Sequence, residues 1–201
     1  MDLVKYLLSY KQIDLNVKDY QGDTIPHKLC FKGKLNLVRN IVSLHRANLN
    51  ALNNYDRTII HCACESRNLD LVKYLISLNE KDILPKDEFS KTILHTACEW
   101  GDLEIVRYIV SLDKININTQ DTKYNTPLHL ACYKSYHKIV EYLLLLPKID
   151  VNIQNKNNKT PLFYTMEYEN TNIIELLLSH KGIDSSIEGK NKKTALHYAC
   201  E

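Results

Sequence analysis

Glycine is scarce, five residues in 201, and proline is no commoner at five. So few glycines cannot build a phosphate-cradling loop, which excludes the glycine-dependent nucleotide-binding motifs. Long hydrophobic runs are missing as well. The densest, Ile139 to Leu146, is short and carries Glu141, so no segment is expected to span a membrane. Excess charge of one sign is also lacking: 26 basic against 24 acidic side chains leave +2, which gives no global pull toward nucleic acid or an anionic membrane. The first residues, Met1-Asp2-Leu3-Val4-Lys5-Tyr6, have neither a basic stretch nor a small-residue cleavage site, so secretion is not expected. What is present, 44% apolar and 25% charged residues, suits a folded chain.

The organising signal is a period. Threonine recurs at Thr24, Thr58, Thr92, Thr126, Thr160 and Thr194, a step of 34 residues. Three positions later stand His27, His61, His95, His129 and His197, with Phe163 the exception. Six positions later stand Cys30, Cys64, Cys98, Cys132 and Cys200, with Met166 the exception. Fixed residue types at several fixed offsets mark one structural unit laid down repeatedly. The cysteine column reads as a small buried packing position, and Cys62 is the only cysteine outside it. Reduced thiols and an intracellular, cytoplasmic location are the expectation, since disulfide scaffolds crowd their cysteines into short, loop-rich chains.

One unit can be followed from Asn118 to Asp150. Residues 118–125 are polar and rich in turn formers, hence a loop. Thr126 is an N-cap and Pro127 occupies the first helical position, where its missing N–H costs nothing. Leu128, Ala131 and Cys132 form the apolar face of a short helix, and Lys134-Ser135-Tyr136 interrupt it. Ile139, Val140, Leu143 and Leu144 then give a second helix, which Pro147 stops. The second-helix columns are strict: Leu37, Leu71, Ile105, Ile139, Ile173 and, one place on, Val38, Val72, Val106, Val140, Ile174. One such unit buries too few side chains to offset the entropy of ordering its backbone, so stacking on neighbours must be the fold.

Thr126-Pro127-Leu128-His129-Leu130-Ala131, Gly101-Asp102-Leu103-Glu104-Ile105-Val106 and Asp150-Val151-Asn152 carry a resemblance to the ankyrin repeat. It covers essentially the whole chain. The resemblance implies an all-α ankyrin-repeat solenoid: stacked antiparallel helix pairs with projecting hairpin-like loops. The period is one residue longer than usual for the family, attributed to the return loop at Pro147-Lys148-Ile149. The family's loop glycine appears as Gly22 but as Asp56, Ser90, Tyr124, Asn158 and Lys192 elsewhere, departures expected to weaken the loops and spare the stack. A single array is expected over 1–201: a half repeat at 1–17, repeats at 18–51, 52–85, 86–119, 120–153 and 154–187, and a half repeat at 188–201. The half repeats at each end suggest a piece of a longer protein, and leave end-to-end self-association open.

The polar columns can be read as chemistry or as packing, and packing fits them better. His27, His61, His95 and His129 fall in different units and form a ladder; the resemblance gives them a structural role on neighbouring loop backbone. In His61-Cys62-Ala63-Cys64, the two cysteines stand two apart on a helix and face different sides, so no zinc site is expected. No nucleophile–base pair stands out, so no catalytic residue, cofactor or metal is assigned. Asn158-Lys159-Thr160 matches a glycosylation sequon, but Thr160 is needed as a cap.

Proteins that resemble this one bind others through loop tips and the exposed side of the first helix. Three before each threonine stand Gln21, Tyr55, Phe89, Lys123, Asn157 and Asn191; seven after stand Phe31, Glu65, Glu99, Tyr133, Glu167 and Glu201; eight after stand Lys32, Ser66, Trp100, Lys134 and Tyr168. Positions expected to be solvated thus hold Tyr55, Phe89, Trp100, Tyr133 and Tyr168, beside Lys86, Lys91, Lys123, Glu65 and Glu99. Aromatic anchors with a charged rim are the makings of an interface. The expectation is a protein–protein interaction scaffold without enzymatic activity, binding an unidentified protein on its concave loop and first-helix surface. The alternative is a regulatory ankyrin segment of a larger enzyme or channel. Nucleic acid is disfavoured by the near-neutral total, despite Lys156, Lys159, Lys190, Lys192 and Lys193.

Overall fold

A computed structural model describes residues 3–78, 85–167 and 170–200. It divides into two units, 1–88 and 89–201, each built from the same motif. The first holds α1 (Leu3–Leu8), α2 (Ile25–Phe31), α3 (Leu35–Ser43), α4 (Ile59–Glu65) and α5 (Leu69–Leu78). The second holds α6 (Ile93–Trp100), α7 (Leu103–Ser111), α8 (Pro127–Tyr133), α9 (His137–Leu144), α10 (Pro161–Glu167), α11 (Thr171–Ser179) and α12 (Ala195–Ala199), with a 3₁₀ turn at Lys190–Lys192. Among the described residues every regular element is helical, as an all-α solenoid of helix pairs requires.

The caps explain where the first helices start. Thr24, Thr58, Thr92, Thr126 and Thr194 all have extended backbone, and each turns its N–H toward the Nδ1 of the histidine three residues on. Helix pairs are closed by turns of two or three residues, with Gly33, Arg67, Gly101 and Ser135 in the left-handed region at the corner. Asp102 and Asn170 then cap second helices through their side chains, and Asn68 accepts from the N–H of Leu71.

Packing repeats at the period of the sequence. In the first unit α2 lies against α4, and each packs on its own second helix. In the second unit α6, α8, α10 and α12 pack in succession, with α7, α9 and α11 behind them. Cys30, Cys64, Cys98 and Cys132 are wholly buried, as are Val38, Val72, Val106 and Val140. At these eight positions no solvent reaches the side chain, and a change of one methylene is felt.

Hydrogen bonds stitch the loops along each stack. The hairpin tips bond one to the next: Asn54 N–H to the Gln21 carbonyl, Glu88 to Tyr55, Thr122 to Phe89 and Lys156 to Lys123, at 2.7–3.0 Å. Asn118 and Asn152 clamp the return loop of the following repeat through Oδ1 and Nδ2 together. The tip turn survives loss of its glycine. Asp56, Ser90, Tyr124 and Asn158 adopt the same positive φ as Gly22, between 54° and 62°. The loop geometry is therefore kept, at a strain of about 1 kcal/mol for each such side chain.

Candidate protein-interaction surface

Four of the hairpin tips are five-residue turns held from inside by one side chain. Asp19, Asn53, Asp121 and Asn155 each accept two backbone N–H groups, two and four residues on, at one Oδ1. Behind three of the tips the histidine of the preceding first helix reaches across the stack. Its Nδ1 accepts from the capping threonine, so Nε2 carries the proton and donates it: His27 to the Arg57 carbonyl at 3.0 Å, His95 to Asn125 at 3.1 Å, His129 to Lys159 at 3.0 Å. Burial pushes the His95 and His129 pKa down to about 4. These histidines are neutral structural links.

A basic residue just before the threonine pairs with a glutamate eight residues later in three repeats: Arg57 with Glu65, Lys91 with Glu99 (2.6 Å) and Lys159 with Glu167. In the second unit this pattern is interrupted at Asn125 and Tyr133. Asn125 accepts at Oδ1 from Nδ2 of Asn155 (2.8 Å), and the hydroxyl of Tyr164 donates to the same atom at 3.4 Å. The ring of Tyr133 meets Tyr164 edge-on with centroids 5.6 Å apart. Where the ion pair is missing, a groove of about 510 Å³ opens. Its apolar lining is Phe89, Leu130, Tyr133 and Tyr164, and Lys91, Glu99, Lys123 and Lys134 rim it.

The groove gathers five of the residues singled out from the sequence: Phe89, Lys91, Glu99, Lys123 and Tyr133. Phe89 keeps 46% and Tyr133 44% of its surface exposed. Trp100, 42% exposed at the end of α6, lies outside the lining. Tyr55, Glu65 and Lys86 belong to the other unit; Tyr55 is exposed and Lys86 is exposed, whereas Glu65 is largely covered and tied to Arg57. Tyr168 lies outside the described residues.

Sequence reasoning missed Leu130, Tyr164 and Asn125. For Leu130 and Tyr164 the signal was a fourth column, four places after each threonine: Lys28, Cys62, Thr96, Leu130, Tyr164 and Tyr198. It varies in size and charge where the structural columns do not, although Cys62, Thr96 and Leu130 are buried and the other three half-buried.

The remaining chemistry is quiet. His61, Cys62 and Cys64 are buried on α4, with the Cys62 thiol pushed up to about 12 by burial. Among the described residues no three His, Cys, Asp or Glu side chains group as metal ligands, and no helix is long and apolar enough to cross a membrane. A second recess, about 450 Å³ in the first unit, is walled by Leu49, Leu52, Ile59, Ile60, Leu75 and Leu78; among the described residues it offers no charged handle.

A comparison with curated proteins gave no match. A sequence model of the family described as "Ankyrin repeats (3 copies)" matches three times, over residues 1–87, 77–155 and 143–201. Repeats of that family are in general protein–protein interaction modules, typically without catalytic activity. With family matches running from end to end over capped, stacked helix pairs, this chain belongs to the ankyrin-repeat family.

Proposed function

We propose that the protein is a non-catalytic scaffold that captures a protein partner on its hairpin tips and first-helix faces. The mechanism is presentation of a pre-organised surface: the tips are locked by backbone, asparagine and histidine hydrogen bonds, so little ordering entropy remains to be lost on binding. In the second unit the contact residues are Phe89, Lys91, Glu99, Trp100, Lys123 and Tyr133. In the first they are Tyr55, Glu65 and Lys86. Tyr168 stays in the set on its sequence column alone.

One observation carries the reading. Phe89 and Tyr133 remain nearly half exposed beside one groove, while Cys98, Cys132, Val106 and Val140 of the same repeats are fully buried. Large apolar side chains left at the mouth of a concavity are the usual anchors of an interface. The test is affinity capture from lysate on the parent chain and on Phe89→Ala/Tyr133→Ala, read by quantitative mass spectrometry. A protein retained by the parent and lost by the double variant, at unchanged melting temperature, supports the assignment. Equal retention by both removes these residues from the site.

A further inference from the structure

The groove of the second unit is chemically asymmetric, and this narrows what it can hold. The unit carries 13 acidic and 13 basic side chains, so its overall charge points to no partner. Its hairpins do not share that balance. Residues 120–125, 154–159 and 188–193 contain six lysines against two acids, Asp121 and Glu188. Asp121 is buried and spent on its own turn: Oδ1 accepts the N–H groups of Lys123 and Asn125, and Oδ2 the side-chain amide of Asn125. Around the groove itself, Lys91 is matched by Glu99. Lys123 and Lys134 are exposed and, among the described residues, neither has a carboxylate partner. The Lys134 ammonium stands 5.3 Å from the centroid of the Tyr133 ring, a position that leaves it able to turn toward an incoming anion.

We infer that this groove docks an acidic peptide segment, seating one aromatic or aliphatic side chain among Phe89, Leu130, Tyr133 and Tyr164 while flanking carboxylates meet Lys123 and Lys134. The inference rests on the scaffold reading and adds the partner's chemistry to it. The floor favours an apolar anchor because its polar atoms already satisfy one another, through Asn125, Asn155 and the Tyr164 hydroxyl. The rim supplies charge complementarity, which steers encounter and rejects basic competitors. A single-stranded nucleic acid would also seek lysine and aromatic rings, but it would bring a phosphate at every step to a unit with no net positive charge.

The test is selection of a displayed random-peptide library on the full chain, followed by fluorescence anisotropy of the enriched peptides. The expected result is Asp or Glu on both sides of one large apolar residue. Binding should weaken about tenfold or more in Lys123→Glu/Lys134→Glu, and as salt is raised. Both lysines are exposed, so circular dichroism and melting of that variant should match the parent. Enriched peptides without acidic residues, or indifference to the charge reversal, overturn the inference. So does a single-stranded oligonucleotide of equal charge that outcompetes the peptides. Neutral or basic peptides that Phe89→Ala releases would sink the acidic assignment and leave the scaffold reading standing; no enrichment at all counts against both.

Discussion

The ring of Tyr136 rests on the α-carbon of Gly101, so close that a β-carbon built there would stand 2.4 Å from the Tyr136 Cζ. Gly101 closes α6 in the left-handed region at φ +81°, and Tyr136 opens the second helix of the next repeat. One residue thus serves as a helix terminator and as the seat of an inter-repeat contact. Gly101→Ala should therefore cost about 3 kcal/mol, part strain and part displacement of the tyrosine. Ser135, at the same corner one repeat later with φ 58°, predicts the opposite: Ser135→Gly should stabilise by about 1 kcal/mol. Urea denaturation of the two variants checks both signs.

Five of the six cysteines are buried and Cys200 is exposed. Burial raises the Cys30, Cys98 and Cys132 thiols well above their usual value, so thiolate is scarce as well as hidden. A thiol reagent added to the native chain should modify Cys200 promptly. The other five should react only in denaturant. Peptide mapping of the alkylated chain decides it, and rapid native labelling at Cys98 or Cys132 would contradict the packing described.

Asn155 gives its side-chain amide to Oδ1 of Asn125, just as Asn53 gives its own to Asp23 at 2.8 Å. At the corresponding places one repeat before the Asn125–Asn155 pair stand Lys91 and Asp121. The two positions look matched: an acceptor faces an amide, and a cation is accompanied by an acid. Asn155→Asp should cost about 2 kcal/mol, because it removes the donor and sets a carboxylate against the Asn125 oxygen. Adding Asn125→Lys should recover about 1 kcal/mol or more by restoring the other matched combination. Strictly additive losses in the double-mutant cycle would show that the pair is not coupled.

The fold was legible because the repeat writes each physical requirement in one residue type. A threonine caps, a histidine links, a cysteine fills a buried position, and each recurs at steps of 34 residues. Phe163 shows the limit. It replaces the linking histidine, is buried, and packs edge-on against Tyr198 with Gly189 beneath it. The column announces the departure without saying what replaces the hydrogen bond. The candidate site was legible in part. Phe89 and Tyr133 declared themselves by being aromatic in solvated columns. Leu130 and Tyr164 did not, since an apolar residue in mid-helix looks like core until the neighbouring repeat is placed. The groove lies where Asn125 and Tyr133 replace an ion pair kept in three other repeats, and that is visible only once the partners eight residues apart are seen to touch.

His95 and His129 make the stack sensitive to acid. Burial is the main cause of their low pKa, near 4, and outweighs the opposing pull of the Asn125 and Lys159 carbonyls and of Asp121. In the unfolded chain a histidine titrates near 6.5. Between those values the unfolded state binds a proton that the folded state refuses, so stability rises with pH across that window. Their contribution is fully present above about pH 6.5 and is lost as pH falls toward 4. A tenfold difference in proton affinity between the two states corresponds to about 1.4 kcal/mol, so the two histidines together should remove several kcal/mol over the window. Denaturant midpoints taken from pH 7 down to pH 4 should fall accordingly. His129→Gln, which cannot take up the proton, should start less stable at pH 7 and decline less steeply. An unchanged slope in that variant would assign the acid sensitivity to other groups.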